Sequence, residues 1–322
     1  MKLVSLSINP VPSGATVAAF EGYDGLKLRY ALWQPTRGPL RGTVCIVQGR
    51  GEFIEKYFEV IADLRRRGFA VAIFDLRGQG GSERILSNPR KGYVAAFTEY
   101  DRDLAIFIED VIKPALPQPL IGLGHSLGGN ILLRNAQDEM SPFARMVLLS
   151  PMIAIHQNML GVSPPIARAY ATIASLFGFS GAYVRGGGDE PDDFKDFATN
   201  RLTNDHIRWS RNKAIIDAAP ELALGSPTVG WLKAALRSTA MLLRPDYPKY
   251  VCVPMILFAA GADKVVSTQA IEDFAVDLKF GAHILMPGSR HEILQETDAI
   301  RQRFWAAFDA YMGISATSSE KA

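Results

Sequence analysis

The sequence predicts an α/β protein with a mostly parallel central sheet, helices on both faces, an antiparallel start and one helical cap insertion. Three observations carry this expectation. Short apolar runs alternate with helix-periodic segments along the first half of the chain; the alternation stops near residue 150 and resumes near residue 250; and the stretch between them holds no strand-like run of comparable quality.

Ala15–Phe20 and Leu26–Trp33 flank Gly22-Tyr23-Asp24-Gly25, which has the turn chemistry of a hairpin. The pattern then changes to strand Thr43–Val47, helix Ile54–Arg67, strand Phe69–Phe74, helix Phe97–Leu116 and strand Pro119–Gly122, the order of βαβ units. A helix over Leu127–Glu139 and a strand at Arg145–Leu149 follow, and strand Val251–Ala259, helix Gln269–Leu278, strand His283–Met286 and helix Leu294–Tyr311 complete the series. The implied organisation is a core of residues 1–151 and 248–314, a cap of residues 152–247, and a disordered tail at 315–322.

Within the cap, Pro164–Val184 carries only Arg168 as a charge. Its length approaches a membrane span, yet the Pro-Pro start, Ser175, Ser180, Gly178 and Gly181 fit a surface cap helix better. Asp189–Arg211 reads as charged turns and Ala214–Met241 as one amphipathic helix.

At 48% hydrophobic and 21% charged, the 322-residue chain has the composition of a folded soluble protein. A net charge of +2 supplies no field for holding a nucleic acid. Cys45 and Cys252 both fall in apolar runs, where cysteine acts as a small buried hydrophobe rather than a staple or ligand. The opening residues lack an apolar core of signal-peptide length, so the expectation is cytoplasmic, with peripheral contact at the inner membrane through the cap. Oligomeric state is left open.

Gly124-His125-Ser126-Leu127-Gly128 fits G-x-S-x-G, in which a sharp strand-to-helix turn exposes a serine hydroxyl and small flanking residues let the turn close. With 28 glycines in the chain, chance alone yields this pattern in roughly one chain in seven, so context decides. Here Leu120–Leu123 forms an apolar strand before it and a helix follows directly. A serine hydroxyl needs a base within reach and a carboxylate to orient that base. On this architecture the partners follow in the order serine, acid, histidine. Asp263 lies in the turn after the strand ending at Ala259, and His291 in the loop after His283–Met286. The other histidines compete less well: His125 sits inside the elbow, His156 and His206 in the insertion, and His283 at a strand start, each explained as packing or surface. No His/Cys/Asp grouping has metal-site spacing, and no cofactor is implied. Two backbone N–H donors are needed for a tetrahedral oxyanion, one from Leu127 and one from Arg50 in the loop Gln48-Gly49-Arg50-Gly51-Glu52.

These residues resemble the α/β-hydrolases that include monoacylglycerol lipases and bacterial lysophospholipases. Gln48–Glu52 is similar to that family's His-Gly-x-Gly-Glu loop, with Gln48 in place of the histidine. Asp75-Leu76-Arg77-Gly78-Gln79-Gly80-Gly81-Ser82 is similar to its Asp-x-Arg-Gly-x-Gly-x-Ser turn, Gly124–Gly129 to its elbow, and Gly261-Ala262-Asp263 with His291-Glu292 to its acid and base. Asn200–Asp205 and Pro220–Gly225 resemble the lysophospholipase-like branch. The resemblance implies the α/β-hydrolase fold and hydrolysis of a single-chain lipid ester through an acyl-serine; the apolar cap helices are expected to form a tunnel for one acyl chain, and the Arg50 side chain is expected to be solvated or salt-bridged rather than held against a phosphate. Short-chain carboxylesterase, aminopeptidase-type hydrolase and a catalytically slow ligand-binding relative are the alternatives. Haloalkane dehalogenases and epoxide hydrolases, whose nucleophile is Asp, are disfavoured by Ser126.

Overall fold

A computed structural model describes residues 1–191 and 194–314. The tail expected to be disordered, 315–322, lies outside the described residues.

Among the described residues one eight-stranded sheet forms, from β1 (Thr16–Glu21), β2 (Lys27–Trp33), β3 (Thr43–Val47), β4 (Ala70–Phe74), β5 (Leu120–His125), β6 (Phe143–Leu149), β7 (Met255–Ala260) and β8 (Gly281–Met286). Its order is β1-β2-β4-β3-β5-β6-β7-β8. β1 pairs antiparallel with β2 and β2 with β4, and every later pairing is parallel. β3, β4, β5 and β7 are buried along their whole length, as apolar runs covered on both faces must be. Two apolar clusters, one on each face, hold the helices to the sheet. Phe74 and Phe107 meet on one side at 4.7 Å between ring centres, Phe258 and Phe304 on the other at 5.0 Å.

The helices longer than four residues are α1 (Phe58–Arg66), α2 (Thr98–Ile106, continued by a π-helical stretch Phe107–Ile112), α3 (Leu127–Asn135), α4 (Pro164–Leu176), α5 (His206–Ala218), α6 (Val229–Leu242), α7 (Thr268–Val276) and α8 (Asp298–Tyr311). The single helix expected over Ala214–Met241 is instead two. α5 starts earlier, at His206, capped by the Asp205 side chain accepting from Arg208 N at 2.8 Å, and ends at Ala218 before Pro220, whose ring cannot continue it. α6 starts only at Val229, capped by Thr228. Cys252 is also corrected: it is exposed, because Pro254 delays the strand to Met255, whereas Cys45 is buried in β3.

The insertion leaves β6 and returns to β7, its neighbour in the sheet. Within it α4 packs beside α6, burying only Ala167 and Ala171. Ile166, Tyr170, Ile173 and Phe177, at the spacing of one helix face, are exposed, as are Leu176 and Phe179. These large side chains lie on the solvent-exposed surface of the insertion, and only the two alanines are buried. α6 packs against α3, where Ser238 Oγ donates to the buried Asn130 Oδ1 at 2.7 Å. No helix of the described residues is long and apolar enough to cross a membrane.

Candidate active site

Ser126 stands between β5 and α3 with φ 52° and ψ −111°, a left-handed conformation that costs energy for any residue with a Cβ. The surrounding contacts impose it. Ser126 N donates to Leu149 O at 3.0 Å, and Ser126 O accepts from Met152 N at 2.9 Å and Asn130 N at 3.1 Å. The elbow also needs Gly128, since a Cβ there would lie 1.9 Å from the Val47 carbonyl oxygen. Leu127 is the first residue of α3, so its amide has no carbonyl partner within the helix.

The loops after β7 and β8 are tied to each other: Gly261 N donates to Met286 O at 2.9 Å and Ala262 N to Ser289 O at 2.8 Å. That pairing seats Asp263 beside His291, whose Nδ1 lies 2.7 Å from Asp263 Oδ2. Asp263 Oδ1 accepts from Val265 N at 2.7 Å and Val266 N at 3.1 Å, which fixes the carboxylate before the histidine meets it. Burial would raise the Asp263 pKa, but His291 and these two amides hold it below the usual carboxylate range. The His291 ring lies 4.8 Å from that of His125, the residue before Ser126, so acid, base and elbow share one corner of the sheet. Ser126, Asp263 and His291 retain only 7%, 8% and 3% of their surface. Among the described residues the Ser126 hydroxyl and His291 make no hydrogen bond to each other.

The loop Gly49–Glu52 leaves β3 toward the elbow. Glu52 Oε2 accepts from Gly49 N and, at 2.6 Å, from the Tyr57 hydroxyl, while Glu52 Oε1 lies 2.8 Å from Lys56 Nζ. Lys56 also pairs with Glu292, the residue after His291. His125 completes this cluster, with Nδ1 at 3.1 Å from Glu52 Oε2 and Nε2 at 3.3 Å from the His291 carbonyl oxygen. Neither oxygen can donate while Glu52 is ionised, so a ring nitrogen that bonds to either of them does so as the donor. The electrostatics agree: burial lowers the His125 pKa, but Glu52 outweighs it and leaves it raised. Burial likewise opposes ionisation of Glu52, yet Lys56 and His125 hold it well below the ordinary carboxylate range.

His125 therefore does more than pack, contrary to its assignment from sequence. Sequence reasoning also missed Lys56 and Glu292. The Glu52–Lys56 pair is local, four positions apart, but Lys56 and Glu292 are separated by 236 positions, which no local pattern reveals.

The Arg50 side chain turns to the insertion. Its Nη2 donates to Gly225 O at 2.7 Å and its guanidinium lies 5.2 Å from the centre of the Trp231 ring. Gly225 N donates to Arg90 O at 2.9 Å, Thr228 Oγ1 to Gly92 O at 2.8 Å and Arg84 Nη2 to Glu221 O at 2.6 Å. Residues 221–228 are thus bolted to the loops that surround the site.

A serine in a strained elbow at the carboxyl end of a parallel strand, with a buried His–Asp pair delivered by two later strands, defines an α/β-hydrolase. Residues 38–298 match the family model described as serine aminopeptidase, S33, and the chain belongs to that hydrolase family. Lysophospholipase L2 of Escherichia coli strain K12 is 29% identical over 292 residues, covering 88% of this chain and 83% of that one. Monoacylglycerol lipase of Mycolicibacterium smegmatis is also 29% identical, but over 177 residues, 52% of this chain and 56% of that one. Among solved structures, a soluble variant of monoglyceride lipase from Saccharomyces cerevisiae, in complex with a substrate analogue, shares the fold. Its TM-score is 0.74 at 22% identity, over 96% of this chain and 98% of that one.

Proposed function

We propose that this enzyme hydrolyses the carboxylic ester of a single-chain lipid, a lysophospholipid before a monoacylglycerol, through an acyl-serine intermediate. The chain is a carboxylic ester hydrolase, and the names of its relatives support a lipid ester as the class of substrate. Lysophospholipid is placed first because the match to lysophospholipase L2 runs over 88% of the chain, whereas the match to monoacylglycerol lipase stops at 52%. The observation that carries the mechanism is the 2.7 Å His291–Asp263 pair beside the elbow of Ser126.

In the first step His291 Nε2 takes the Ser126 hydroxyl proton as Oγ attacks the ester carbonyl. The resulting oxyanion accepts hydrogen bonds from the amides of Leu127 and Arg50. Asp263 stays ionised, fixes the tautomer and stabilises the imidazolium. His291 then returns the proton to the leaving alcohol, and water repeats the sequence on the acyl-enzyme. Residues 152–247 act as the cap. Between Met152 and Gly188 there is no Asp or Glu, and the exposed apolar face of α4 lies in that stretch. Both features support peripheral contact of the cap with a lipid surface.

The test is hydrolysis of lysophosphatidylcholine, 1-monoacylglycerol, p-nitrophenyl esters of graded length and an aminoacyl amide, with Ser126→Ala in parallel. Preference for a long single chain, lost in the mutant, supports the proposal. Turnover surviving in Ser126→Ala refutes the mechanism, and cleavage of short esters or of the amide alone refutes the lipid assignment.

A further inference from the structure

The Asp75–Ser82 turn contributes no side chain to the proposed chemistry, yet one of its residues reaches the oxyanion loop. Gln79 is buried, with 2% of its surface exposed. Its Nε2 donates to Gly49 O at 2.8 Å and to Glu52 O at 3.2 Å, and its Oε1 accepts from Gly51 N at 3.2 Å. The partners settle which end of the amide is which, since two carbonyls require donors and one N–H requires an acceptor. One side chain thus spans the loop on both sides of Arg50.

Gly49 C=O and Arg50 N–H belong to the same peptide unit, which is planar and trans. Its two ends point in opposite directions, so a hydrogen bond to the carbonyl sets where the N–H aims. The other donor to this carbonyl, Glu52 N, lies at 3.5 Å, a much weaker contact than Gln79 Nε2 at 2.8 Å. Glu52 ties the Gly49 amide, which belongs to the preceding peptide unit. Gly49, on the near side of this unit, carries no side chain to limit rotation about its ψ, so the hydrogen bond to its carbonyl has to do so. A hydrogen bond at the carbonyl also polarises the peptide and makes its N–H the better donor.

We propose that Gln79 is a positioning residue that orients the Arg50 amide toward the oxyanion. This rests on the reading of Arg50 and Leu127 as the oxyanion donors. Gln79 touches no reacting atom and acts only through the peptide that it holds. The turn itself is anchored independently: Asp75 Oδ2 accepts from Arg29 Nε at 2.7 Å and from Gly81 N at 2.8 Å, and Ser82 Oγ donates to Asp75 O at 2.6 Å. Replacement of Gln79 therefore leaves the turn in place and releases the loop.

The experiment compares Gln79→Met, which removes all three bonds, with Gln79→Glu, which keeps the acceptor for Gly51 N but cannot donate to Gly49 O. Turnover is taken per active site titrated to completion with a fluorophosphonate, so an unfolded fraction does not enter. Both variants are expected to lose about ten- to hundredfold in kcat on p-nitrophenyl butyrate and on lysophosphatidylcholine, less than the loss of a whole oxyanion donor, with KM within about twofold. Affinity for an alkyl boronic acid, which forms a tetrahedral adduct on the serine, falls by the same factor. Affinity for an ether analogue of lysophosphatidylcholine, which mimics the ground state, does not. Wild-type kcat and boronate affinity in Gln79→Met overturn the proposal. Wild-type values in Gln79→Glu alone overturn the role of the bond to Gly49 O. If Ser126→Ala retains turnover, the underlying mechanism has failed instead, and the two failures are separable.

Discussion

Replacing Asp263 by Asn exchanges one oxygen for an NH2 group without changing the shape of the side chain. Two backbone donors, Val265 N at 2.7 Å and Val266 N at 3.1 Å, require an oxygen at the Oδ1 position, so the new NH2 must take the place of Oδ2, 2.7 Å from His291 Nδ1. There it can only donate. His291 Nδ1 must then accept, which moves the ring proton to Nε2, the nitrogen that has to receive the Ser126 proton. The negative charge that balances the imidazolium is lost as well. At an effective dielectric of roughly 20 and a charge separation of about 4 Å, that loss is about 4 kcal/mol, or three decades in rate. The wrong tautomer extends the expected drop in kcat toward about 10⁴-fold. Steady-state hydrolysis of p-nitrophenyl butyrate, corrected for labelled active sites, reads it directly. A kcat within tenfold of wild type would refute the assignment of Asp263 and leave another acid to be found.

Gly128→Ala would place a methyl 1.9 Å from the Val47 carbonyl oxygen, a backbone atom that cannot yield, and soluble protein with native circular dichroism would contradict the elbow geometry. The charge cluster behind His291 sets stability at both ends of the pH scale. Glu52 has a depressed folded pKa, so its contribution is complete above its unfolded value of about 4.3 and is lost as pH falls further. His125 has a raised folded pKa, so its contribution is complete below its unfolded value of about 6.5 and is lost as pH rises through the folded value. Urea midpoints across pH should show both declines in the wild type and a shallower acid limb in Glu52→Gln, and parallel curves would rule out the linkage. Ile173→Asp with Phe177→Asp, both on the exposed face of α4, should cut sedimentation with anionic lipid vesicles at least tenfold while leaving hydrolysis of soluble p-nitrophenyl butyrate unchanged. Equal vesicle binding would remove α4 from the membrane-facing surface.

The strands were legible because apolar runs bounded by turn residues have few other readings in a chain of this length: β3 spans the residues expected of it, and β4 and β6 differ only at their first residues. The insertion was less legible. Ala, Ile and Leu run through 214–241 with helical spacing on either side of the break, which Pro220, Gly225 and Pro227 mark. The strand expected at Val251–Ala259 starts later for the same reason, since Pro254 marks where it can begin. At the site, the elbow motif and chain order pointed to Ser126, Asp263 and His291, and the structure brings Asp263 against His291 beside the elbow. Glu292 could not be read as part of a unit with Glu52 and Lys56, because that association depends on how β3 and β8 lie in the sheet; only the Glu52–Lys56 pair, four positions apart, is local.

The position of the insertion has a consequence for how such an enzyme can change. The loop carrying Arg50 and the elbow precede Leu149, Asp263 and His291 follow Met255, and the intervening segment leaves and re-enters the sheet at adjacent strands. Lengthening a loop whose ends are already fixed costs little, about 0.6 kcal/mol for each doubling. One contiguous stretch of chain can therefore be exchanged while Ser126, Asp263 and His291 stay where they are. The part that resists exchange is 221–228, because its bonds to Arg50, Arg84, Arg90 and Gly92 form the seam along which any substitute segment has to be joined.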